Sequence, residues 1–224
     1  MSIEKLLSIA SQAIGVTVVT DAFASIDQWR GESCRQLLRM LSIKNGFFAF
    51  EGALHVFPWM DSASKENYLS LQSWNEKTLW RDWYQGLTDG LFFFAEDAFG
   101  GQFAIRGSEI VSFDPESGEL DFIASSFESW VSELLSNYAQ LTGYPLAHSW
   151  QSINGPIPMG QRLLPKTPFI LGGRYEENNL YAVDAVLGMR YRGELWVQLR
   201  DLPDGAQVRL RVFPVQGANL GSET

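Results

Sequence analysis

The chain has 224 residues, 46% of them apolar and 19% charged, which is enough to bury a core and excludes a globally disordered chain. Its single cysteine, Cys34, excludes an internal disulfide and points to a buried thiol in a reducing, cytoplasmic setting. The formal net charge of −9 disfavours nucleic-acid contact, which needs clustered Lys and Arg, and no apolar run approaches the roughly 18 residues of a membrane span.

The elements are predicted in chain order as follows. Ser2 caps a first helix in which Ile3, Leu6, Leu7, Ala10 and Ala13 recur at helical spacing. This segment is not read as a secretion leader, because Glu4 cancels Lys5 and Ser8, Ser11 and Gln12 dilute its apolar content. A second helix is expected over residues 33–41, with Leu37, Leu38 and Leu41 on its buried stripe and Asn45-Gly46 ending it. FFAFEGALHVFP reads as strand, with Gly52 as a bend. Residues 64–84 are expected to be helical, with a face of Leu71, Trp74, Leu79, Trp83 and Tyr84. Fifteen aromatics fall between Phe47 and Phe103, and they predict a bulky core more than a sticky surface.

Residues 91–124 read as an antiparallel meander of four strands: LFFFAEDA, QFAIR, EIVSF and ELDFIA. Gly100-Gly101, Gly107-Ser108 and Asp114-Pro115-Glu116-Ser117-Gly118 supply the turns, the last because Pro presets φ and Gly tolerates φ above zero. Ser125 with Glu128 has capping-box spacing for a helix that buries Phe127, Trp130, Val131, Leu134, Leu135 and Tyr138, and Gly143 with Pro145 ends it. Residues 151–166 are loop-rich and mark the best internal boundary. Beyond them TPFIL reads as a strand. Strict alternation from Leu187 to Leu199 favours another strand, although Arg190, Glu194, Gln198 and Asp201 share one helical face. The turn at Leu202-Pro203-Asp204-Gly205 leads to a closing strand AQVRLRVF. The plan is α+β: an antiparallel β-meander flanked by helices over residues 1–150, a β-rich C-terminal extension over 151–214, and a tail over 215–224.

Charge is segregated along the chain. Ten acids lie between Asp89 and Glu133 against the single base Arg106, so this segment alone carries −9 and the remainder is neutral. A solvated face is the plain reading. The functional one is a negative field that draws in a basic partner.

The central block resembles the SUKH superfamily. The residues that carry the resemblance are FFAEDAFGGQFAI, ending at Ile105, then IVSFDPESGELDFIASSFESWVSELL over 110–135, with LSIKNGFFAFEGALHVFP over 41–58 similar to the family's entry strand. The resemblance covers about residues 1–150 and implies an α+β protein-interaction scaffold without a catalytic centre. Such scaffolds include a fungal regulator of cell-wall assembly, a bacterial protein that contacts the secretion translocon, and many immunity proteins of toxin systems.

Enzyme motifs are absent. His55 and His148 form no close metal-ligand pair, and there is no Walker A loop, GxGxxG or GxSxG. Glu96 and Asp97 are adjacent on a strand and point to opposite faces, so they cannot flank one substrate. Glu96 with Asp114 is the remaining pair for a small hydrolase, the third reading. The first reading is a cofactor-free immunity protein, a monomer or weak homodimer, that blocks a basic toxin domain. The second is a housekeeping regulatory module with no toxin. Candidate contacts are Glu96, Asp97, Asp114 and Glu116, with Trp74, Trp80 and Trp83 as anchors. Gly100 and Gly101 are assigned to a structural turn whose neighbour Asp97 is the functional half.

Overall fold

Short connections order the sheet everywhere except between its second and third strands. In the computed structural model, which describes residues 2–16, 31–59, 69–203 and 205–206, six antiparallel strands follow one another in sequence order. They are β1 (Phe47–Ala49), β2 (Leu54–Val56), β3 (Phe92–Asp97), β4 (Gln102–Arg106), β5 (Glu109–Phe113) and β6 (Leu120–Ala124). The last four are the meander expected from the turn residues. The closing strand AQVRLRVF beyond Ala206, the tail and part of the expected 64–84 helix lie outside the described residues.

The period-2 pattern sends side chains to both faces, and helices cover each. On one face α1 (Ser2–Ile9) and α2 (Glu32–Ile43) pack against α4 (Phe127–Leu141). Trp130 of α4 meets Phe94 and Phe103 edge-on at 4.8 and 5.4 Å. On the other face Phe93 and Phe113 meet Trp80 and Tyr84 at 5.0 and 5.1 Å. The aromatic-rich segment therefore fills the core, as its composition predicts.

Several elements depart from expectation. Ser126, not Ser125, caps α4 and accepts from Ser129 N. Pro145 sits in the first turn of a further helix, α5 (Tyr144–Asn154), where its missing N–H costs nothing. Within residues 69–84 the chain makes only the short α3 (Leu71–Trp74) and a 3-10 turn (Arg81–Tyr84). Asn75 stops the helix: its amide accepts from Phe93 N at 2.9 Å and donates to Phe93 O at 2.7 Å, so it pairs with β3 like a one-residue strand.

The extension corrects two strand assignments. TPFIL contains a 3-10 turn (Phe169–Leu171), and residues read as an alternating strand form α6 (Ala185–Leu199). Asp184 caps α6 by accepting from Leu187 N at 2.9 Å. Its stripe of Ala185, Gly188, Met189, Arg192, Gly193 and Leu195 is buried. The strands of the extension are β7 (Gln161–Pro165) and β8 (Leu180–Asp184), paired only with each other. Among its described residues the extension is thus built mainly of a hairpin and a helix. No helix among the described residues is long and apolar enough to cross a membrane.

Candidate functional site

The β3–β4 and β5–β6 turns meet at one end of the sheet and open a cleft of about 550 Å³ between the end of α4 and the segment 165–175. Its floor includes the cross-strand row Phe103–Ser112–Asp121, and its far wall is Phe169 stacked on Tyr175 at 4.0 Å.

Two turns aim carboxylates at this space. In the first, Gly100 takes φ +76°, and a Cβ at Gly101 would collide with the Asp97 carboxylate. Asp97 Oδ1 accepts from Phe99 N and Gly101 N, both at 2.8 Å. Asp97 is therefore part of the turn rather than a free neighbour of it. Burial pushes its pKa up to about 7, against the pull of those two N–H groups. In the second turn Asp114 Oδ1 accepts from Glu116 N at 2.7 Å and Ser117 N at 3.3 Å, and Gly118 donates to Asp114 O at φ +74°. Glu116 is buried and accepts from Ile170 N at 3.0 Å; burial also raises its pKa.

Asp114, Glu119 and Asp121 line the cleft, are exposed, and have no ion-pair partner among the described residues. Among the described residues the one cation lining the cleft is Arg192 of α6. It is buried and donates to Gly188 O at 3.2 Å and to Phe99 O, so it braces the first turn from behind.

The other predicted site residues are placed elsewhere. Glu96 does not line the cleft. It is buried between His55 (Nδ1 to Oε1, 3.0 Å) and Arg162 of β7 (Nε to Oε1, 2.8 Å). Burial alone would raise its pKa, but the Arg162 guanidinium and the His55 hydrogen bond hold it below the usual carboxylate range. Burial holds His55 below its ordinary value, so the imidazole is neutral. Trp74 and Trp80 have no exposed surface and are core, not anchors: Trp74 Nε1 donates to Gln102 at 2.7 Å and Trp80 Nε1 to Trp74 O at 2.9 Å. Trp83 is half-buried, with the Arg190 guanidinium 4.7 Å from its ring centroid. With Glu96 sequestered, Glu96 and Asp114 do not converge on one cavity. Among the described residues no group of three His, Cys, Asp or Glu is placed to hold a metal ion.

Glu119, Asp121, Tyr175 and Arg192 were not singled out from the sequence as site residues. The two acids could have been found from their i, i+2 spacing at the start of a strand, which puts both on one face. Tyr175 and Arg192 reach the cleft only through tertiary packing of the extension.

No protein-family profile matches the chain, and no curated protein matches it. Among solved structures it is similar to the crystal structure of Atu4351 from Agrobacterium tumefaciens, with a TM-score of 0.57 and 12% identity over 85% of this chain and 88% of that one. At that identity the likeness carries the fold and nothing more.

Proposed function

We propose that the protein is a non-catalytic, cytoplasmic protein-binding module of SUKH type, and that it serves as an immunity protein that blocks a basic toxin domain. The observation that carries this reading is the cleft with Asp114, Glu119 and Asp121 on its rim, exposed and without counter-ions among the described residues. Leaving three like charges together costs the isolated protein self-repulsion. A cationic partner recovers that cost and gains speed of association from long-range attraction. The aromatic wall of Phe169 and Tyr175, with Tyr175 71% exposed, offers the apolar contact that holds such a complex once formed.

The test is growth protection. If a large secreted toxin is encoded beside this gene, co-expression of the protein with it should restore the growth that the toxin arrests. A variant carrying Asp114→Lys, Glu119→Lys and Asp121→Lys should fold and fail to protect. Absence of both protection and complex formation by the unaltered protein would refute the immunity reading and leave a housekeeping interaction module in its place.

A further inference from the structure

The two edges of the six-stranded sheet are finished differently. At β1, backbone N–H groups of the N-terminal segment bond across the edge: Ser11 to Phe48 O at 2.8 Å, Ile14 to Gly46 O at 2.9 Å and Gly15 to Asn45 O at 2.8 Å. At β6, among the described residues, no backbone hydrogen bond reaches the outer side. Natural edges are usually blunted by charged side chains, by Pro, by a bulge or by a covering segment. The sequence Leu120-Asp121-Phe122-Ile123-Ala124 contains neither Lys nor Pro; its only blunting features are the register shift at Ile123 and the charge of Asp121.

The faces of this edge define what would fit on it. Asp121 and Ile123 line the acidic cleft, and Asp121 lies in register with Ser112 and Phe103. Phe122 falls in the row Phe93–Ala104–Val111 on the opposite face, at the rim of that apolar layer, and is 57% exposed. A strand added here would place alternate side chains in two environments, one acidic and one apolar. A second copy of this chain is a poor match, because edge-to-edge pairing brings Glu119 and Asp121 against their own kind. A basic, alternating segment is complementary on both faces.

Resting on the reading of a basic protein partner, we propose that β6 accepts an extended segment of that partner as a seventh strand. Its Lys or Arg side chains enter the cleft toward Asp114, Glu119 and Asp121, and its apolar side chains cover Phe122. Main-chain hydrogen bonds supply the pairing, and the two faces supply the selectivity.

The experiment uses the full chain and a fluorescent peptide of alternating Val and Arg, seven residues long by choice to exceed one strand of ~5–6 residues. A control peptide has the same sequence with N-methyl groups on alternate residues, which keeps its charge and removes its donors. The proposal predicts at least about tenfold tighter binding of the unmethylated peptide. It also predicts slowed hydrogen exchange at the outward-facing amides of residues 120–124. Asp121→Lys should weaken binding by about tenfold without lowering the melting temperature. Equal binding of the two peptides would overturn strand addition while leaving an acidic docking surface intact. Loss of growth protection as well would bring down the underlying reading. No binding of either peptide would also overturn the proposal. So would β6 amides already slow before peptide is added, which would give the edge to a second copy or to the chain's own run Val208-Arg209-Leu210-Arg211-Val212.

Discussion

Asp97 is pulled in two directions, and the balance is measurable. Two N–H groups favour its charged form and burial opposes it; burial wins, raising the pKa from 3.8 to about 7. The folded protein therefore keeps a proton that the unfolded chain gives up. This contribution to stability is complete below the unfolded pKa and is lost as pH rises through about 7. Asp97→Asn keeps the Oδ1 acceptor and removes the titration. Its melting temperature should fall less than that of the unaltered protein between about pH 5 and about pH 8. Equal slopes in the two melting series would contradict the assignment. Glu96 runs the other way: its pKa is depressed, so its contribution is present above the usual carboxylate range and lost as pH falls through its folded value. Its partner Arg162 is the sensitive residue. Arg162→Ala leaves a buried carboxylate without its cation and should cost about 3–5 kcal/mol in urea unfolding. Adding Glu96→Gln should return part of that loss, because the uncompensated charge is then gone. A double variant less stable than Arg162→Ala would show that the ion pair is not the source of the effect.

At the scale of elements, the meander and α4 were legible because their signals are local: turn residues at fixed offsets, period-2 strands, and a Ser cap before a helical apolar stripe. The helix α6 was legible only as the alternative to a strand. Its odd positions alternate by coincidence, while its true signals, the Asp184 cap and the small residues Gly188 and Gly193, are weak without knowledge of what they pack against. A Cβ at Gly193 would meet Trp83 Cβ at 2.7 Å and Tyr84 at 3.2 Å, so this position needs glycine for contact rather than for φ. Gly193→Val should lift α6 from the aromatic layer and cost about 1–3 kcal/mol. The exposed Gln198→Ala on the same helix should stay within about 0.5 kcal/mol. Parity of the two in thermal unfolding would mean that α6 is not held as described. The tryptophans follow the same logic: their clustering in sequence could not say which are swallowed by the core. Trp74 and Trp80 are buried with their indole N–H groups paired to acceptors inside it, whereas Trp130 is equally buried and its N–H has no hydrogen-bond partner among the described residues.

For the whole molecule, the extension is what turns an acidic stretch into a site. Residues 1–150 alone supply the two turns, but the cleft is closed by Phe169 and Tyr175 and braced by Arg192, all from beyond residue 150. The sequence excess of acid between residues 89 and 133 was visible. Its division into buried carboxylates (Glu96, Glu116), the turn-bound Asp97 and exposed ones (Asp114, Glu119, Asp121) was not, because it depends on which neighbours fold over them. The central claim is that the exposed three recruit a basic partner. The most direct measurement is the dissociation constant for that partner, for the unaltered protein and the Asp114→Lys, Glu119→Lys, Asp121→Lys variant, at low and high salt. The account predicts that reversal weakens binding by about a hundredfold or more at low salt, and that added salt weakens the unaltered complex and narrows the gap. Equal affinities at low salt, in a variant that melts like the unaltered protein, would contradict it.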